Sequence, residues 1–146
     1  MPSRYQQRAV VLLVEDNPDD VLMIREAFEQ SLLPVQLYLV STGEQAIKFV
    51  RRTDPAAPRP SLILLDLNLP IGNGLAVLAD LKGDPDYLAI PIVVLTTSQA
   101  PEDIKQCYVL HANAYIIKPP DFDGFAAVVQ QITACFLGLV SLPPSS

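Results

Sequence analysis

The sequence is poor in the residues that would support several function classes. Lys and Arg together number 10, against 16 Asp and Glu, so the formal net charge is −6. A nucleic-acid surface needs a basic patch, and that reading is set aside. Cysteine occurs only at Cys107 and Cys135, both in apolar, helical-looking surroundings. Two such residues make no disulfide framework, and they read as reduced, structural thiols in a cytoplasmic protein. With one His, His111, no imidazole-rich metal site can form. Long apolar runs are missing too. The N-terminal run Ala9–Val14 is too short for a signal segment or a membrane span. No internal repeat or low-complexity tract interrupts the 146 residues, which suit one domain with a core at about 9–139 and a tail at 140–146.

What is present is a core. Half of the residues are hydrophobic. They gather in five short runs, Val10–Val14, Val35–Val40, Leu62–Leu65, Ile92–Thr96 and Ala114–Ile117. Most lack strict alternation and are rich in Val, Ile and Leu, as strands buried on both faces are. Between them lie helically spaced sets. Val21, Ile24, Ala27, Phe28 and Leu32 are followed by Pro34. Ala46, Ile47, Phe49 and Val50 are followed by Asp54-Pro55. Leu75, Val77, Leu78 and Leu81 form the third set, and Ile104, Cys107, Tyr108 and Leu110 the fourth. Phe125, Val128, Val129, Ile132 and Phe136 form the fifth. Fivefold strand–helix alternation predicts a parallel α/β sheet with helices on both faces, and the flavodoxin-like order 2-1-3-4-5 is the natural choice for it.

In such a sheet the carboxyl ends of the strands converge on one edge, where ligands bind. These ends carry Glu15-Asp16, Asp66, Thr96 and Lys118-Pro119. Three neighbouring carboxylates repel one another and need counter-charge. Lys118 supplies one unit. An oxygen-rich, partly hydrated site points to Mg²⁺ for the rest. With a cation bound, a phosphoryl group becomes acceptable there. Asp66 could take it as an aspartyl phosphate, with Thr96 and Lys118 on the phosphoryl oxygens. Any one of these residues alone is more simply a cap or a turn. Their conjunction at successive strand ends is what points to this chemistry.

The motifs LLVEDNPDD, LILLDLNLPIGNG, VVLTTS and NAYIIKPP resemble those of the response-regulator receiver family from Val10 to about Leu139. Asp66 and Thr96 lie 30 residues apart and Thr96 and Lys118 lie 22 apart, which agrees with that resemblance. It implies a phosphoacceptor at Asp66 and a Mg²⁺ site made by Asp16, Asp66, the Asn68 main-chain carbonyl and, through water, Glu15. It also implies Thr96 and Lys118 as phosphate-binding residues, Tyr115 as the aromatic switch, and a cis bond between Lys118 and Pro119. The implied function is a switch of protein–protein interactions that catalyses only its own phosphorylation and dephosphorylation. DLNLP, LTTS, the stretch His111–Tyr115 and the tail after Phe136 are similar to stand-alone regulators paired with bacterial phytochromes. The implied partner is therefore a sensor histidine kinase of the bacteriophytochrome kind.

Two positions depart from the family pattern. Thr97 stands where a small residue is usual and is expected to narrow access to the phosphoryl group. His111 stands where glycine is common at the end of the fourth helix, a place that often requires a left-handed backbone.

An aspartyl-phosphate phosphatase on a related fold is the enzymatic alternative. It would need a second acid two residues after the nucleophile, and Asn68 stands there. A flavodoxin-like FMN carrier would need a phosphate loop free of Glu15-Asp16. No output domain is expected after the fifth helix. No charged residue follows Phe125. That predicts a homodimer through the fourth helix, fifth strand and fifth helix, with Phe136, Leu137, Leu139, Val140 and Leu142 in the interface. Neither nucleic acid nor membrane is expected as a partner.

Overall fold

The computed structural model describes residues 9–31, 33–52, 56–71 and 73–137. The strands are β1 (Ala9–Val14), β2 (Val35–Val40), β3 (Leu62–Leu65), β4 (Ile92–Thr96) and β5 (Ala114–Ile117). The helices are α1 (Pro18–Glu29), α2 (Gly43–Val50), α3 (Gly74–Lys82), α4 (Pro101–Val109) and α5 (Phe122–Phe136). All strand pairs are parallel, in the order β2-β1-β3-β4-β5. This is the predicted flavodoxin-like sheet.

Successive side chains of a strand point to opposite faces, and the strands here are apolar on both. Leu12 and Val14 of β1 join Ile63, Leu65, Ile92 and Val94 in a core covered by α2, α3 and α4. Val11 and Leu13 join Leu62, Leu64, Val93 and Leu95 in a second core with α1 and α5. β3 and β4 are buried throughout, whereas β2 and β5 are only partly covered. Each fully buried Leu, Ile or Val removes enough apolar surface to stabilise the fold by about 1.5–3 kcal/mol.

Helix ends follow local chemistry. Asn17 caps α1 through the N–H groups of Asp19 and Asp20, and Pro18 occupies its first turn. α1 stops at Glu29 with Gln30 as its C-cap, several residues before Pro34, and Leu32 lies outside the described residues. α2 likewise ends at Val50. Arg52 turns into the left-handed region at φ 58°, before Asp54 and Pro55, which also lie outside the described residues. His111 adopts φ 72°, as its place in the sequence suggests. Its N–H donates to the Tyr108 carbonyl and that of Ala112 to the Cys107 carbonyl, closing a Schellman turn.

The Lys118–Pro119 bond is a correction to the sequence reading. It is trans, and no peptide bond among the described residues is cis. Trans is the lower-energy isomer of an X–Pro bond. The Lys118 N–H donates to the Thr96 carbonyl and its side chain still reaches the carboxylates. Gly124 makes room for the ring, since a Cβ there would lie 2.4 Å from Cβ of Pro119. Cys135 is another difference. Cys107 is buried and structural as expected, but Cys135 is exposed on α5.

Candidate functional site

Register brings the site together. Val14 of β1 pairs with Leu65 of β3, so Glu15 and Asp66 leave the sheet at one level. The Asp66 N–H donates to the Val14 carbonyl. Leu65 also pairs with Val94, and Thr96 with Ile117, which puts Thr96 and Lys118 beside them. The chain order reverses between β1 and β3, and the site occupies that switch point.

Glu15, Asp16 and Asp66 each offer a carboxylate oxygen, all within 4.8 Å of one another. Asp16 is exposed, while Glu15 and Asp66 are buried. The Lys118 ammonium touches Glu15 Oε1 at 2.7 Å, Asp20 Oδ2 at 2.8 Å and Asp66 Oδ2 at 3.3 Å. Three carboxylates therefore share one ammonium, and Asp16 stands beside Glu15 and Asp66 without touching it. The donor set is all oxygen and open on the Asp16 side, as a hard divalent cation requires.

Burial acts on these charges in opposite ways. It pushes the Glu15 carboxyl up to about 7, with Asp66 repulsion in the same direction and the Lys118 hydrogen bond against it. Burial also works against the Lys118 ammonium, but its hydrogen bonds to Asp20 and Glu15 outweigh that and hold it above the ordinary lysine range. Lys118 stays charged across the physiological range. Glu15 is further fixed by the N–H groups of Asp16 and Asn17, each at 3.2 Å from Oε2.

Asp66 Oδ1 accepts the Asn68 N–H at 3.1 Å. The Asn68 amide donates to Thr96 Oγ1 at 3.3 Å, and Thr96 is fully buried. Ser98 lies beyond: its N–H points at Thr96 Oγ1, its hydroxyl donates to Asp103 at 2.6 Å, and its carbonyl accepts the Tyr115 hydroxyl at 2.8 Å. A chain of polar contacts thus runs from Asp66 to the half-buried Tyr115 ring. Gly74 closes the site from below. A Cβ there would stand 2.4 Å from the Asp66 carbonyl oxygen.

These strand ends and motifs match the response regulator receiver domain over residues 11–130. The chain belongs to that family. Response regulator Rcp1 from Synechocystis is 40% identical over 136 residues, 92% of each chain. Among solved structures, the phosphorylated cyanobacterial phytochrome response regulator RcpA superposes on this receiver domain with TM-score 0.87 and 40% identity, covering 94% of this chain and 99% of that one. A Mn²⁺-bound form of Rcp1 gives TM-score 0.85 at 39% identity, covering 92% and 99%. The acidic cluster of this receiver domain and that metal-bound relative fit divalent-cation binding.

The structure brings together every strand-end residue singled out by sequence, and it adds Asp20. Its signal was present but local. Asp20 is the third residue of α1, which begins shortly after the β1 end, and from that first helical turn its carboxylate reaches Lys118. Of the residues assigned to a dimer interface, Phe136 and Leu137 pack against this chain's own α1–α5 core. Leu139, Val140 and Leu142 lie outside the described residues.

Proposed function

We propose that this receiver domain takes a phosphoryl group from a sensor histidine kinase onto Asp66, with Mg²⁺, and thereby switches its interactions with other proteins. The observation that carries the reading is the buried Asp66 carboxylate set between the Lys118 ammonium and the Glu15–Asp16 pair. In the reaction a carboxylate oxygen of Asp66 forms a P–O bond as the P–N bond of a phosphohistidine breaks. The imidazole leaves with the electron pair of that bond; its other ring nitrogen carries a proton before transfer, so the cationic ring departs as neutral imidazole rather than imidazolate. Asp16, Asp66 and the Asn68 carbonyl would hold Mg²⁺, with Glu15 acting through water. Bound there, Mg²⁺ supplies positive charge that lets an anionic phosphoryl group approach the carboxylates. Lys118 and Thr96 then neutralise and orient the phosphoryl oxygens.

The kinase is a bacteriophytochrome in this reading, supported by the likeness to the phytochrome response regulator RcpA. The protein acts in the cytoplasm. Among the described residues no helix is long and apolar enough to cross a membrane. It turns over no external substrate, and Asn68 in place of a second acid supports this. Self-association through α4, β5 and α5 is part of the proposal. Tyr108, Val109 and Ile117 are exposed large hydrophobic residues on α4 and β5, and the exposed positions of α5 after Phe125 are Ala127, Gln130, Gln131 and Cys135, all uncharged.

The test is transfer of labelled phosphate from acetyl phosphate or a phosphorylated bacteriophytochrome kinase. The wild type should label in a Mg²⁺-dependent way. Asp66→Asn should keep its fold and take no label. Stoichiometric labelling of that variant would overturn the assignment, and steady hydrolysis of a small phosphate ester would favour a phosphatase.

A further inference from the structure

Lys118 has three ammonium protons, and three carboxylates take them. The contact to Asp66 is the longest, 3.3 Å against 2.7 Å to Glu15 and 2.8 Å to Asp20. A phosphoryl oxygen arriving on Asp66 therefore meets a lysine that is already committed. One of its partners must yield. Glu15 is poorly placed to do so. Its side chain is 1% exposed, and two backbone N–H groups hold its other oxygen. Asp20 differs in every respect. It sits on the first turn of α1, its side chain is 17% exposed, and water can solvate it once released. Its charge also suits the N-terminal end of the α1 dipole when the lysine leaves.

We propose that Asp20 is a positioning residue that competes with the phosphoryl group for Lys118. In the resting site it holds the ammonium away from Asp66. On phosphorylation the phosphoryl oxygen displaces it. Asp20 thereby sets how strongly the site retains a phosphoryl group. This rests on the phosphoacceptor reading above.

The test compares Asp20→Asn with Asp19→Asn. Asp19 is an exposed acid on the same turn and, among the described contacts, none joins it to Lys118. The two variants lose the same charge, and only one loses the competitor. The affinity for the aspartyl-phosphate mimic beryllofluoride is measured by titration calorimetry at Mg²⁺ concentrations that saturate each variant. Asp20→Asn should bind the mimic about fivefold or more tighter than wild type, the scale of one weakened charge-assisted hydrogen bond. Asp19→Asn should stay within about twofold, as a screened surface charge would. A second measurement needs neither metal nor mimic. Acetylation by acetic anhydride, mapped by mass spectrometry, should find Lys118 several times more reactive in Asp20→Asn, relative to the exposed Lys105. Equal mimic affinity in the two variants, weaker binding by Asp20→Asn, or unchanged Lys118 labelling would overturn the inference. If wild type itself binds no mimic, the phosphoacceptor reading fails along with it.

Discussion

At the residue scale, His111 carries a cost that its neighbours impose. The Schellman turn after α4 needs a left-handed residue, and a side chain there is strained by about 1 kcal/mol. His111→Gly should relieve that strain. Part of the gain is offset because Gly widens the unfolded ensemble. A net stabilisation of no more than about 0.5 kcal/mol in urea titrations is expected, with phosphoryl acceptance unchanged. Cys107 gives a pH signature. Burial, aided by Asp103, pushes its thiol from 9.0 up to about 11. The unfolded chain thus loses this proton at lower pH than the folded one, and the Cys107 contribution to stability falls as pH rises from about 9 to 11. Denaturation midpoints should decline over that window in wild type and less so in Cys107→Ala. A thiol reagent should modify the exposed Cys135 at once and Cys107 only on unfolding.

At the element scale, the β3–α3 junction decides whether Asp66 is presented correctly. Gly74 lets the first turn of α3 lie against the backbone of Asp66 and Leu67, where a Cβ would come within 2.4 Å and 2.6 Å of backbone atoms. Gly74→Ala should therefore displace the Asp66 turn, destabilise the fold by about 1–3 kcal/mol, and slow phosphorylation from acetyl phosphate. Chemical denaturation and labelling kinetics on the same sample check both. The elements themselves were legible in the sequence because buried parallel strands and one-sided helices have different apolar patterns. Their ends were less so. α1 and α2 stop before the prolines that follow them because the chain first meets cap geometry.

At the scale of the whole molecule, metal and self-association are the properties to measure. A cation that binds only the folded state stabilises it by mass action, about 2.7 kcal/mol at a hundredfold excess over Kd. Mg²⁺ should raise the melting temperature of the wild type, and Asp16→Asn should lose most of that rise. Sedimentation at micromolar concentration, with and without beryllofluoride, should detect a dimer. Leu137 is a poor choice for splitting it, since that residue packs on its own core. Val109, 63% exposed on α4, is the better one. Val109→Glu should give a folded monomer.

The sequence by itself determined the parallel α/β alternation, the placing of helices on both faces and the convergence of Glu15, Asp16, Asp66, Thr96 and Lys118. Strand ends in a parallel sheet meet on one edge whatever the details of packing. Only the tertiary structure decided where each side chain goes from there. It set Lys118 on Glu15 and Asp20 more closely than on Asp66, kept the bond to Pro119 trans, turned Leu137 inward and Cys135 outward. These outcomes depend on distances of an ångström between elements far apart in the chain, such as Asp20 and Lys118, and apolar periodicity carries no information about them.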